Sequence, residues 1–100
     1  MNTSIAIQVL PAAQNQEDLI RIVDEVIAFI KSSGLNYHVG PFETTIEGND
    51  YNQLMDIVKQ CQLVAVKAGA SKVSAYVKIV YQPEGEVLSI DRKIGKYAQA

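Results

Sequence analysis

From Thr3 to Leu10 the chain alternates Ile5, Ile7 and Val9 against Ser4, Ala6 and Gln8, the period-2 signature of a strand with one buried face. Pro11 closes that run. Asn15, three residues before Asp18, has the spacing of a helix N-cap box, and Leu19, Ile22, Val23, Val26, Ile27 and Ile30 follow at helical intervals until Gly34. Tyr37 and Val39 then alternate with Asn36 and His38 in a second, short strand. Gly40-Pro41 interrupts it, and Thr44 to Glu47 resumes extended structure. Asn49 or Asp50 caps a second helix with the stripe Leu54, Val58, Cys61, Ala65 and Ala68, ended by Gly69. In the last strand Val73, Ala75, Val77, Ile79 and Tyr81 alternate with Ser74, Tyr76, Lys78 and Val80. Beyond the Pro83-Glu84-Gly85 turn, Ile90, Ile94 and Tyr97 stand at i, i+4 and i+7, which predicts a short terminal helix weakened by Gly95.

The order β, α, β, β, α, β forms two βαβ halves of similar length, the split arrangement of ferredoxin-like folds. The expected class is α+β: a four-stranded antiparallel sheet with two helices on one face and a short C-terminal helix. The sheet's other face then carries Ser4, Ala6, Gln8, Asn36, His38, Thr45, Glu47, Ser74, Tyr76, Lys78 and Val80, provided each strand keeps its register. Function is to be sought on that face.

Composition narrows the classes. One hundred residues, 48% of them hydrophobic, suit one domain spanning residues 1–100. A net charge of −2 without clustered Lys or Arg argues against a nucleic-acid partner or an anionic membrane, whose binding is driven by release of counterions from phosphates. The apolar segment Leu19 to Ile30 is cut by Arg21, Asp24 and Glu25, well short of the roughly 20 consecutive apolar residues of a membrane span. The start of the chain is not basic and Gln8 interrupts its short apolar run, which argues against reading it as a signal peptide. Cys61 alone forms no internal disulfide, which fits a cytoplasmic setting, and with His38 as the only histidine there are too few soft ligands for structural zinc. No metal is expected.

Catalytic signatures are equally sparse. His38 has no candidate nucleophile beside it, since Cys61 lies on a buried helical stripe, and Glu47 is the only carboxylate placed on the open face. Phosphate-cradling glycine runs are missing, and Ser4, Ala6 and Gln8 offer no aromatic platform for RNA. Glu47, flanked by Asn36, His38 and Thr45, instead suits recognition of an amino-substituted nitrogen heterocycle. Asn36 brings a donor and an acceptor, and Thr45 a hydroxyl. Tyr76 offers either a stacking surface or an interface aromatic. Ala6, Tyr76 and Val80 place apolar surface among polar groups, as in a sheet-to-sheet contact enclosing polar pockets, and predict a homo-oligomer.

The stretch Tyr37-His38-Val39-Gly40-Pro41-Phe42-Glu43-Thr44-Thr45-Ile46-Glu47-Gly48 resembles the hallmark of the small thiamine-binding protein family, relatives of the bacterial tandem-repeat thiamine/hydroxymethylpyrimidine-binding proteins. The match runs through Pro41, Thr45, Glu47 and Gly48. An opening strand ending in Pro11, a second helix after Glu47-Gly48 and a closing strand with Val77-Lys78-Ile79 extend it over almost the whole chain. The resemblance implies a ferredoxin-like domain that pairs through its sheets into dimers and tetramers. It also implies thiamine, or its aminopyrimidine portion, on or beside the sheet with Glu47 contacting the aminopyrimidine. Strand alternation adds Asn36, His38, Thr45 and, more remotely, Gln8 to the ligand-binding set. Where relatives continue the last strand from Lys-Ile into an acidic and a basic residue, this chain has Val80 and Tyr81.

The expected function is therefore non-enzymatic binding of thiamine or hydroxymethylpyrimidine in an oligomer, for sequestration, sensing or delivery, with no catalytic residue and no cofactor. Two alternatives stand beside it. One is an oligomeric regulatory or structural domain without its own small ligand, in which the polar face joins subunits and Lys78 and Tyr76 serve the interface. The other is a small enzyme with His38 as general base oriented by Glu47.

Overall fold

The alternation along Thr3–Pro11 (β1), Asn36–Val39 (β2), Thr44–Gly48 (β3) and Val73–Tyr81 (β4) resolves into one antiparallel sheet of order β2-β3-β1-β4 in the computed structural model, which describes residues 1–97. Helices Gln16–Ser32 (α1) and Tyr51–Lys67 (α2) pack on the sheet face that carries Ile5, Ile7 and Ile46, and a short helix Ile90–Ile94 (α3) follows β4. The expected class and element order hold.

Local signals explain the boundaries. The Asn15 side chain accepts from the N–H of Asp18 at 2.9 Å and Asp50 does the same for Gln53 at 3.2 Å, so both long helices begin on a satisfied cap. Gly34, at φ 75°, and Gly69, at φ 120°, supply the left-handed turns after their ends. Pro11 does not cut the first strand short, because it still faces Val73. The N–H of Gln82 donates to the Asn2 carbonyl, so even-numbered residues of β1 bond toward β4 and odd-numbered ones toward β3. Since β3 pairs only as far as Ile7↔Thr44, the N–H that proline lacks has no strand to meet.

The core joins Ile5, Ile7 and Ile46 to Ile22, Val26 and Ile30 of α1 and to Leu54, Ile57, Cys61 and Ala65 of α2, all essentially buried. Ile57 completes an i, i+3, i+7 stripe with Leu54 and Cys61, while Val58 and Ala68, expected at its centre, lie half-buried at its flank. Leu19, in the first turn of α1, stays exposed, and the buried stripe starts at Ile22. Ile79 and Tyr81 point to the helical side yet remain about half exposed, as their strand has a neighbour on one flank only. Gly48 is buried where β3 meets α2, and a Cβ there would lie 2.9 Å from Leu54 Cδ2. Among the described residues no helix is long and apolar enough to cross a membrane.

Candidate functional site

The register assembles the sheet's second face into cross-strand rows. Asn36, Glu47, Ser4 and Val80 form one row, and His38, Thr45, Ala6 and Lys78 form the next. The sequence-derived residues Asn36, His38, Thr45 and Glu47 are therefore a contiguous block on β2 and β3. Gln8 lies one register step beyond on β1, opposite Tyr76, and is separated from Glu47 by the row of Thr45.

This face is not bare throughout. After β4 the chain returns across one end of it: the Gln82 N–H bonds the Asn2 carbonyl, the Val87 N–H bonds the Met1 carbonyl, and the Met1 amino group pairs with Glu86. Val87 is buried against this corner. Ser89 caps α3 by accepting from the Arg92 N–H at 3.0 Å, which presents the Ile90 N–H to the sheet. Glu47 takes that donor on Oε1 at 2.7 Å and the Asn36 amide on Oε2 at 2.6 Å. A carboxylate expected on an open surface is thereby only 3% exposed, as Ser4 beside it is at 5%. Both oxygens are engaged, as burial of a charged group demands.

Next to Glu47 lies a depression of about 250 Å³ between Ser4, Ala6, Thr45, Lys78, Val80 and Lys93. Two features correct the sequence reading. Glu43, from the turn before β3, reaches this face and pairs with Lys78 Nζ at 2.8 Å, so Glu47 is not its only carboxylate. Lys93 of α3 lines the same depression and adds a second cation to Lys78, the one that strand alternation places on this face. Neither residue, nor the Ile90 N–H, is indicated by strand alternation. The Ile90 and Ile94 spacing marks a helix but not the surface on which that helix docks.

The remaining candidates divide clearly. Thr45 is half-buried beside the depression, whereas His38 is exposed at the outer strand β2. Cys61 is fully buried in the core between α2 and the sheet's helical face, and burial pushes its thiol up to about 11, so no activated thiolate faces His38. The chemistry built here is hydrogen-bond acceptance by a fixed carboxylate, with an amide, a hydroxyl and two ammonium groups at its margins.

Residues 5–98 match the model of the thiamine-binding protein family. A UPF0045 protein of Clostridium perfringens is 39% identical over 94 residues, covering 94% of this chain and 95% of its own. Two solved structures superpose closely. A Bacillus cereus domain of unknown function, DUF77, has 37% identity and a TM-score of 0.86, covering 99% of this chain and 92% of its own. A Thermotoga maritima protein for which a role in thiamine biosynthesis or salvage has been suggested has 31% identity and a TM-score of 0.81, covering 97% and 99%. A family match over nearly all of a chain whose fold is shared at this level of identity leads to one conclusion: the chain belongs to the thiamine-binding protein family.

Proposed function

We propose that this protein binds thiamine through its aminopyrimidine ring, without catalysis, on the sheet face centred on Glu47. The observation that carries the reading is the buried Glu47 carboxylate, held in a fixed orientation by Asn36 and the Ile90 N–H. A carboxylate offers about four lone-pair positions, and two donors leave room for the exocyclic amino group of a ligand. Asn36 keeps its amide oxygen for a further donor, Thr45 and His38 supply the adjoining row, and Gln8 forms the far boundary. The neighbouring depression is smaller than a typical ligand pocket of roughly 300–1,000 Å³. A second copy laid face to face would deepen it, and the exposed Tyr76 and Val80 supply apolar surface for such packing. The acidic balance and the lone buried cysteine support a cytoplasmic role in sequestration, sensing or delivery.

The same Tyr76 and Val80 favour the competing reading, an oligomeric domain with no ligand of its own. Isothermal titration with thiamine, hydroxymethylpyrimidine and thiamine diphosphate separates the two. Saturable heat from the wild type that weakens at least tenfold in a folded Glu47→Gln variant supports the pocket. Silence with all three ligands, repeated as absence of any thermal shift, overturns it. The diphosphate arm also reports whether Lys93 assists, since Lys78 is already engaged by Glu43.

A further inference from the structure

Glu47 stands on the sheet face that carries the proposed site, yet it does not open onto the depression beside it. The residue is 3% exposed, and the depression reaches Ser4, Thr45 and Lys93 without reaching Glu47. The neighbouring strands do not hide it, because β1 and β2 flank β3 edge to edge and present the same face. Among the described residues, the chain that lies over it is the return after β4, whose Ile90 N–H ends on Oε1 at 2.7 Å. The two parts of that return are held differently. The first is anchored, since the Gln82 and Val87 N–H groups bond Asn2 and Met1 and Val87 is buried. Beyond it Leu88 is exposed, and α3 buries none of its residues. The Arg92 and Lys93 N–H groups bond back to Ser89, so among the described residues α3 is tied to the sheet by the one hydrogen bond to Glu47. A segment with so few buried contacts belongs to the low-stability end of a fold.

We infer that α3 is a displaceable cover whose Ile90 N–H occupies, on Glu47, the acceptor position that the amino group of the ligand takes. This rests on the reading of Glu47 as the acceptor for the aminopyrimidine. Spare lone pairs on the carboxylate do not serve a ligand that cannot approach them, so α3 has to swing away about the exposed Leu88. A buried carboxylate must keep its donors throughout. With α3 docked, Ile90 and Asn36 supply them. With the ligand bound, its amino group replaces the Ile90 N–H while Asn36 still holds Oε2. The exchange is donor for donor, and the charge is left unpaired in neither state. Docking of α3 and binding of the ligand therefore exclude each other, and the apparent affinity is lowered according to the fraction of chains that are covered.

Ile90→Pro removes the competing donor and leaves the helix able to form. Ile90 is the first residue of α3, where proline is favoured because that N–H takes no part in the helix, and Ser89, at φ −72° and ψ 161°, already has the extended backbone that precedes proline. Ile90→Val trims the side chain and keeps the N–H. By isothermal titration, Ile90→Pro should bind thiamine about tenfold more tightly than the wild type, with Ile90→Val within about twofold of it. The wild-type chain gives a second readout that needs no variant to fold: saturating thiamine should speed hydrogen exchange at the Ile90 amide by about tenfold. Affinity of Ile90→Pro equal to or weaker than that of the wild type, or an Ile90 amide that thiamine leaves as protected or protects further, overturns the inference and leaves the Glu47 site standing. No saturable heat from either protein overturns the site, and the cover with it.

Discussion

Replacing Glu47 should loosen the C-terminal segment before it affects anything else. The carboxylate accepts from the Ile90 N–H at 2.7 Å and from Asn36 at 2.6 Å. A hydrogen bond to a charged group contributes about 1.5–3 kcal/mol and a neutral one about 0.5–1.5 kcal/mol. Glu47→Ala removes both, but the exposed Asn36 amide can turn to water while the half-buried Ile90 N–H loses its partner, so the net loss is about 3 kcal/mol. Glu47→Gln keeps two neutral bonds if Asn36 reverses its amide. Burying an amide also costs less than burying a charge, which leaves a net loss of about 1 kcal/mol. At about 4–8 °C per kcal/mol for a domain of this size, the melting temperature should fall by about 4–8 °C for Gln and about 12–24 °C for Ala. Protein concentration must be held constant, because any self-association would raise apparent stability. Hydrogen exchange supplies the local readout: the Ile90 amide should be protected in the wild type and exposed in Glu47→Ala. An alanine variant as stable as the wild type, or an Ile90 amide that exchanges equally in both, would refute the reasoning.

Gly48→Ala places a methyl 2.9 Å from Leu54 Cδ2 and 3.4 Å from Leu35 Cδ1, and Leu54 is fully buried. Overpacking of about 1–3 kcal/mol then exceeds the gain of about 0.4–1 kcal/mol from a stiffer unfolded chain, and urea denaturation should show a net loss of about 1 kcal/mol or more. Cys61 gives a pH dependence of known sign. Its thiol is raised from 9.0 to about 11 by burial, so between those values the unfolded chain has lost a proton that the folded chain still holds. Stability should therefore fall as pH rises through that window, and Cys61→Ala should be flatter there. In the native protein at pH 8 a thiol reagent should not label Cys61, and fast labelling would contradict its burial.

Alternation and cap spacing were enough to expose the four strands, the two helices and the face that carries Asn36, His38, Thr45 and Glu47, because each signal lies within one element and local backbone geometry answers to it. Alternation also marked Glu47 as the carboxylate of that face, and the resemblance along Tyr37 to Gly48 added its contact with an aminopyrimidine. What stayed hidden were contacts between elements distant along the chain. Glu47 and Ile90 are 43 residues apart, and no local pattern says that the segment after β4 folds back over the sheet. The same return places Lys93 beside the depression. Glu43 sits in a turn, where alternation has no meaning, and it meets Lys78 only across the sheet. Ile79 and Tyr81 carry the periodicity of buried residues and are half exposed, since periodicity reports the face a residue takes and not whether its strand is central or at the edge.

Amide chemical-shift mapping during a thiamine titration asks whether the sheet face around Glu47 receives the aminopyrimidine ring. Saturable shifts are expected at Asn36, His38, Thr45, Glu47 and Ile90, reproduced by hydroxymethylpyrimidine alone. Saturable shifts confined to the helical side, or a spectrum that does not move at high ligand concentration, would contradict that placement.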